Sequence, residues 1–283
     1  MSKKYNVAII GATGAVGQMM LKILMERKFP INNLHLLASK KSKGKTITIN
    51  NCDYQVSSLN EFNFQGVDIA MFSAGSDISE KYAKVATKNN AVVIDNTSFF
   101  RYEDNIPLVV PEVNSEKISL YKETGIIANP NCSTIQMLVA LKPIHDICKI
   151  KRINVCTYQA VSGSGNEAID ELKNQVYAYT RNESLVNNVY PKQIAFNVIP
   201  QIDKFMDNGY TKEEMKMVWE TKKILDSSIE VNPTTVRVPV FFGHSEAVHI
   251  ELENKITAKQ VKDILGKNNS GVVLVDDHKD GGY

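Results

Sequence analysis

Cysteine is scarce: four residues in 283, at positions 52, 132, 148 and 156. They form no C-x-x-C pair and share no zinc-ligand spacing with the five histidines, so neither a disulfide framework nor a metal centre is expected. No apolar run approaches membrane-spanning length, and no basic flank, apolar stretch and small-residue cleavage site follow one another at the N-terminus. A cytoplasmic protein without a membrane partner is therefore expected. The net charge of only +2 argues in the same way against nucleic acid. There is no internal repeat and no low-complexity segment. One local absence is more pointed: no acidic residue occurs between Arg27 and Asp53.

What is present begins with an apolar run, Tyr5 to Ile10, that leads directly into Gly11-Ala12-Thr13-Gly14-Ala15-Val16-Gly17. Met20, Leu21 and Leu24 then share one helical face. Strand, glycine turn and helix is the context in which glycines let backbone approach a pyrophosphate and a helix N-terminus donates N–H groups to it. A purely structural tight turn is the competing reading. The second strand, Leu34 to Ala38, ends where an adenosine ribose would lie, a place that NAD-binding chains usually fill with an acid. Here the residues are Ser39-Lys40-Lys41-Ser42-Lys43-Gly44-Lys45, whose hydroxyls and ammonium groups suit a 2′-phosphate. NADP is thus preferred over NAD, with Ser39, Lys41 and Ser42 as contacts; for any single lysine a solvated loop explains the charge better, and it is the position of the run at the end of the strand that favours the phosphate reading.

Further strands at Ile69 to Phe72 and Ala91 to Asp95, separated by a helix from Ser79 to Lys88, predict a parallel, doubly wound sheet. Ser73-Ala74-Gly75-Ser76 and Asn96-Thr97-Ser98 fall at strand C-termini, where such sheets bind ligands, and Arg101 follows as a possible anion fork.

In Gly125-Ile126-Ile127-Ala128-Asn129-Pro130-Asn131-Cys132-Ser133-Thr134 a cysteine stands between an apolar strand and a helix. The N–H groups and dipole of a first helical turn favour thiolate, the nucleophilic form. On residue type alone, a buried structural cysteine is the alternative.

After this helix the alternation ends. A strand from Arg152 to Gln159 is followed by Ala160 to Gly165, a helix from about Glu167 to Tyr179 and a polar stretch from Arg181 to Pro200. A helix from Thr211 to Leu225, strands at Thr235 to Phe241 and Ala247 to Glu253, and a helix from Ala258 to Leu265 complete the pattern. The expected fold is α/β: a Rossmann-like doubly wound nucleotide-binding domain over residues 1–132 and a second α+β catalytic and dimerisation domain over 133–283. Cys52, Cys148 and Cys156 read as packing residues, and His35, His145, His249 and His278 carry no motif.

Gly11 to Gly17, Asn129-Pro130-Asn131-Cys132-Ser133-Thr134, Tyr158-Gln159-Ala160-Val161-Ser162-Gly163, Glu213-Glu214-Met215-Lys216, and Arg237-Val238-Pro239-Val240 with Phe242-Gly243-His244-Ser245 together resemble aspartate-semialdehyde dehydrogenase. The resemblance implies that Cys132 is the nucleophile, Gln159 its neighbour and His244 the acid/base. It makes Arg237 the binder of the substrate α-carboxylate, Glu213 a contact to the substrate amine, and Lys216, Arg101 and Asn131 a phosphate-binding set. Gly11, Thr13, Gly14, Ala15, Val16, Gly17 and Gly75 would line the cofactor, with Ser162 and Gly163 on its nicotinamide side. The implied reaction is NADPH-dependent conversion of L-aspartyl-4-phosphate to aspartate semialdehyde and phosphate through a cysteine thioester, on the route to lysine and diaminopimelate, threonine, methionine and isoleucine. A homodimer or dimer of dimers is implied as well. Two departures stand out: Lys41 replaces the family's usual arginine, and after Asp280-Gly281-Gly282-Tyr283 the family's C-terminal segment, which returns to the first domain, is expected to be absent. N-acetyl-glutamyl-phosphate reductase and glyceraldehyde-phosphate dehydrogenase share the thiol chemistry but not the cysteine motif. A non-catalytic NADP(H)-binding member of the same scaffold is the alternative from another class.

Overall fold

A computed structural model describes residues 3–49, 51–267 and 271–275. His278 and the terminal Asp280 to Tyr283 lie outside the described residues. The chain divides into two compact units. The first holds residues up to Val109, Glu116–Pro130 and Ser162–Lys173; the second holds Val110–Ser115, Asn131–Val161 and the described residues from Asn174 on.

In the first unit the strands are β1 (Tyr5–Ile10), β2 (Ile31–Ala38), β3 (Thr46–Ile49), β4 (Cys52–Ser58), β5 (Ile69–Phe72), β6 (Val92–Asp95) and β7 (Ile126–Ala128), with helices α1 (Ala15–Glu26) and α2 (Ser76–Lys88). They form one sheet in the order β3-β4-β2-β1-β5-β6-β7, parallel except for the β3–β4 hairpin. From the central β1 the chain steps to β2 on one side, and later from β5 to β6 on the other. Right-handed crossovers in opposite directions put α1 and α2 on opposite faces, which makes the sheet doubly wound as expected. Val7, Ile9, Leu21, Leu36 and Val56 form a buried cluster beneath α1.

The glycine turn is required by sterics. Gly11 has φ +89°, and a Cβ there would come within 2.9 Å of Ser73; a Cβ on Gly17 would collide with the Gly11 carbonyl oxygen. No other residue allows helix and strand to approach so closely.

The second unit contains α3 (Pro111–Asn114), α4 (Cys132–Cys148), a three-stranded sheet, and α6 (Lys212–Ile224) with α7 (Ala258–Lys267); α5 (Asn166–Thr180) begins in the first unit and ends in the second. Its sheet has the order β10-β8-β9, where β8 is Ile150–Gln159, β9 Glu230–Arg237 and β10 His244–Leu252. β9 runs parallel to β8 and β10 antiparallel. Along β8 the residues from Ile153 to Gln159 alternate buried and exposed, so one face packs inward and the other faces solvent. β9 begins five residues before the expected start at Thr235 and ends before Phe241. Pro233, which has no N–H to give to a ladder, is tolerated because β9 is an edge strand, and Val238-Pro239 ends it.

Only Cys148 among the three cysteines read as packing residues is buried. Cys52 opens an edge hairpin strand and Cys156 occupies an outward position of β8, so both are exposed.

At the far end of α4, His145 is 3% exposed; its Nδ1 accepts the Ile150 N–H at 3.1 Å and its Nε2 lies 3.6 Å from Asp226. Burial, with Lys149 nearby, holds this imidazole below its ordinary value against the opposing pull of Asp226. The unfolded chain therefore takes up the proton first. The stabilisation is fully present above the ordinary histidine value of 6.5 and is lost as the pH falls through it toward the lower folded-state value. Thermal melts between pH 8 and 5 should show a stability loss that His145→Gln makes shallower; an unchanged slope would contradict the assignment.

Candidate active site

Cys132 is the first helical residue of α4, and Asn131 is its N-cap. The Asn131 Oδ1 accepts the backbone N–H groups of Ser133 at 2.9 Å and Thr134 at 3.4 Å. Its Nδ2 donates to Glu213 Oε1 at 2.8 Å, and its backbone N–H donates to Glu220 Oε2 at 2.6 Å. Both carboxylates come from α6, whose start is fixed by a capping box between Thr211 and Glu214. Glu214 also accepts the Thr235 N–H, tying α6 to β9.

Strand register gathers the other side chains. Gln159 pairs with Arg237 on one side and His244 on the other, so the three form a row across the end of the sheet on one face. Gln159 is 1% exposed and Arg237 4%. The Arg237 Nη1 donates to the Ala160 carbonyl at 2.7 Å, while its Nε is buried without a hydrogen-bond partner. The Ala160 N–H donates to His244 Nδ1 at 3.0 Å. One residue thus orients both functional side chains. The proton of a neutral His244 must then reside on Nε2.

Buried charge sets the electrostatics. Glu213 would be neutralised by its burial, but Lys216, Asn131 and Gln159 outweigh this and hold its carboxyl below the usual range. Lys216 donates to Glu213 at 2.9 Å and to Asp203 at 3.0 Å, and these carboxylates raise it despite desolvation. Burial pushes the Cys132 thiol up, and the Glu213 charge adds to this; the Ser133 N–H and Arg237 oppose it without prevailing. This corrects the expectation that the helix start favours thiolate, since its donors are outweighed by burial and, after it, by a carboxylate from another helix. Its side chain is nonetheless exposed enough to be reached. Burial likewise lowers His244, with Arg237 contributing, so the imidazole rests neutral.

In the first unit, Gly14 is the N-cap of α1 and Gly75, at φ +96°, the N-cap of α2. Thr13, Ala15 and Val16 complete the glycine turn, and Ser39 to Ser42 form a short helical turn directly after β2. Within the basic run Lys43 pairs with Glu61 at 2.5 Å, so that lysine belongs to a surface ion pair. Asp95 accepts Ser79 and Thr97 and shapes the loop after β6, where buried Arg101 donates to the carbonyls of Asn96 and Thr97. Ser162 and Gly163 lie in a turn leading to α5. Among the described residues no group of three or more His, Cys, Asp or Glu side chains is arranged to hold a metal. No described helix is long and apolar enough to cross a membrane.

The family model for the semialdehyde dehydrogenase NAD-binding domain matches residues 6–121, and that for the semialdehyde dehydrogenase dimerisation domain matches residues 141–282. Aspartate-semialdehyde dehydrogenase 2 of Vibrio cholerae is 59% identical over 275 residues, 97% of this chain and 81% of that protein. The chain belongs to the aspartate-semialdehyde dehydrogenase family. A crystal structure of aspartate semialdehyde dehydrogenase II from Vibrio cholerae, complexed with ASA, superposes with a TM-score of 0.93 at 58% identity, covering 95% of this chain and 80% of that one. The Candida albicans enzyme with NADP gives 0.70 at 26% identity, covering 94% and 77%.

The second unit brings Asn131, Cys132, Gln159, Glu213, Lys216, Arg237 and His244 into one connected arrangement. Arg101 and the glycine turn belong to the first unit. Sequence reading missed Ala160, Asp203 and Glu220. Ala160 acts through its backbone, which leaves no signature in residue type. Glu220 did leave one: with Glu213, Met217 and Ile224 it falls on the buried stripe of α6, where a charge is out of place.

Removing the Glu213 charge by Glu213→Gln should lower the pH midpoint of Cys132 alkylation, because a neighbouring carboxylate disfavours thiolate. Iodoacetamide labelling against pH, followed on the Cys132 peptide by mass spectrometry, reads this directly. An unchanged or higher midpoint would refute the coupling.

Proposed function

We propose that the chain catalyses reversible, NADPH-dependent reductive dephosphorylation of L-aspartyl-4-phosphate to L-aspartate 4-semialdehyde, with Cys132 as the covalent nucleophile. The observation that carries this reading is the thiol at a capped helix start, linked through Asn131 to Glu213 and electrostatically to Arg237.

In this reading the nucleotide occupies the domain of residues 1–132, and the domain of residues 133–283 carries the remaining catalytic groups, with Cys132 at the sequence boundary. The cofactor fits the residues present: side chains are sterically barred at Gly11 and Gly17, leaving backbone to approach a pyrophosphate. Gly11, Thr13, Gly14, Ala15, Val16, Gly17 and Gly75 would hold it. Ser39, Lys41 and Ser42 would take the 2′-phosphate and favour NADP, with Ser162 and Gly163 toward the nicotinamide. When bound, NADPH supplies the hydride that reduces the acyl carbon.

The protein's own groups do the rest. The Cys132 sulfur attacks the acyl carbon, the carbon–oxygen bond to phosphate breaks, and phosphate departs with the electron pair, leaving a thioester. Arg237 has an unmet buried Nε–H to offer and would orient the substrate carboxylate. Glu213 would meet the substrate ammonium, which offsets the charge that adds to burial in raising the thiol. Lys216, Asn131 and Arg101 would receive phosphate. His244, neutral with its proton on Nε2, would donate a hydrogen bond to oxygen at the reacting carbon and carry protons to and from sulfur.

The enzyme is further proposed to act in the cytoplasm as a homodimer or dimer of dimers, supplying lysine and diaminopimelate, threonine, methionine and isoleucine synthesis. The dimer reading draws support from the exposed face of the second sheet, which carries Cys156, Tyr158, Ala247 and His249.

Aspartate semialdehyde should reduce NADP only when inorganic phosphate is present. Cys132→Ala should lower that rate by at least about a thousandfold while NADPH still binds. Phosphate-independent turnover, or an active Cys132→Ala variant, would exclude the mechanism.

A further inference from the structure

Glu220 is 0% exposed and lies on α6 seven residues after Glu213, two turns along the same face. A buried carboxylate is costly unless it is hydrogen-bonded, and the surrounding positions Met217, Thr221 and Ile224 would suit an apolar residue. What Glu220 accepts is the backbone N–H of Asn131 at 2.6 Å. That N–H is one of the donors a helix start leaves without an internal partner. Where a capping box is present, a Glu or Gln three residues into the same helix satisfies it. In α4 that position is Thr134, whose Oγ1 has no hydrogen-bond partner and does not reach back. The missing half of the box is supplied from another helix.

We infer that Glu220 is a positioning residue for the nucleophile: it completes the N-cap of α4 from α6 and fixes the turn on which Cys132 is the first helical residue. Glu213 holds the side chain of Asn131 and Glu220 holds its backbone, so the residue before the thiol is gripped at both ends. Asn131 in turn fixes Ser133 and Thr134, and the aim of the Cys132 sulfur follows from theirs. Glu220 need touch neither substrate nor cofactor to act in this way. The inference rests on Cys132 being the nucleophile.

Two substitutions separate reach from charge. Glu220→Gln keeps an acceptor oxygen at full reach, and Glu220→Asp keeps the charge but withdraws it by one methylene. For positioning, kcat in Glu220→Asp should fall at least about tenfold below wild type, and about fivefold below Glu220→Gln, with KM changed by less than about threefold. Hydrogen exchange without substrate, read on the peptide spanning Asn131 to Thr134, should be about tenfold faster in Glu220→Asp than in Glu220→Gln. Equal losses, the reverse order, or a raised KM at unchanged kcat would overturn the inference, as would fast exchange in Glu220→Gln should the aspartate variant not fold. If wild type fails to turn over aspartate semialdehyde, the functional reading fails, while the exchange comparison still decides the role of Glu220.

Discussion

A charged carboxylate can remain buried only if its neighbours supply what water would, and at Glu213 they do so in a way that organises the side chains around Cys132. Lys216 gives it a counter-charge, while Asn131 and Gln159 give it hydrogen bonds. Each of these partners is thereby fixed. Asn131 is held as the cap of the helix that begins at Cys132, Gln159 at the centre of the strand row, and Lys216 between Glu213 and Asp203. Burial pushes the Cys132 thiol up, and the same charge adds to that push. Substrate bearing an ammonium group and a carboxylate would change that balance on arrival, so that thiolate forms where there is something to attack.

Fold and chemistry meet in register. Because β8 is central in its sheet, Gln159 has a neighbour on either side, and the pairings bring Arg237 and His244 to it from strands 78 and 85 positions further along the numbering. The peptide after Gln159 then serves both: the Ala160 carbonyl takes the guanidinium and its N–H takes the imidazole. A one-residue slip of β8 would turn Gln159 to the solvent face and take it out of the row with Arg237 and His244.

Legibility in the sequence followed from how local the cause was. Gly11 and Gly17 could be read because a missing Cβ is required within a single turn. β1, β5 and the helix at Cys132 were clear from apolar runs and capping residues alone. β9 was misplaced because Pro233 breaks most strands and nothing local revealed that it would lie at an edge. The protonation of Cys132 was misjudged for a related reason: the helix end that favours thiolate is adjacent in sequence, whereas the burial that opposes it comes from the fold and the carboxylate that adds to it is 81 positions away in the numbering. Cys52 and Cys156 were misjudged because residue type alone says little of which way a strand residue points.

The central claim is that Cys132 becomes acylated. The direct measurement is intact-mass and peptide mass spectrometry of the protein quenched after mixing with L-aspartyl-4-phosphate in the absence of NADPH. A single aspartyl adduct on the Cys132 peptide is expected, labile to hydroxylamine as a thioester is. No adduct, or an adduct on Cys52, Cys148 or Cys156 with Cys132 free, would contradict it.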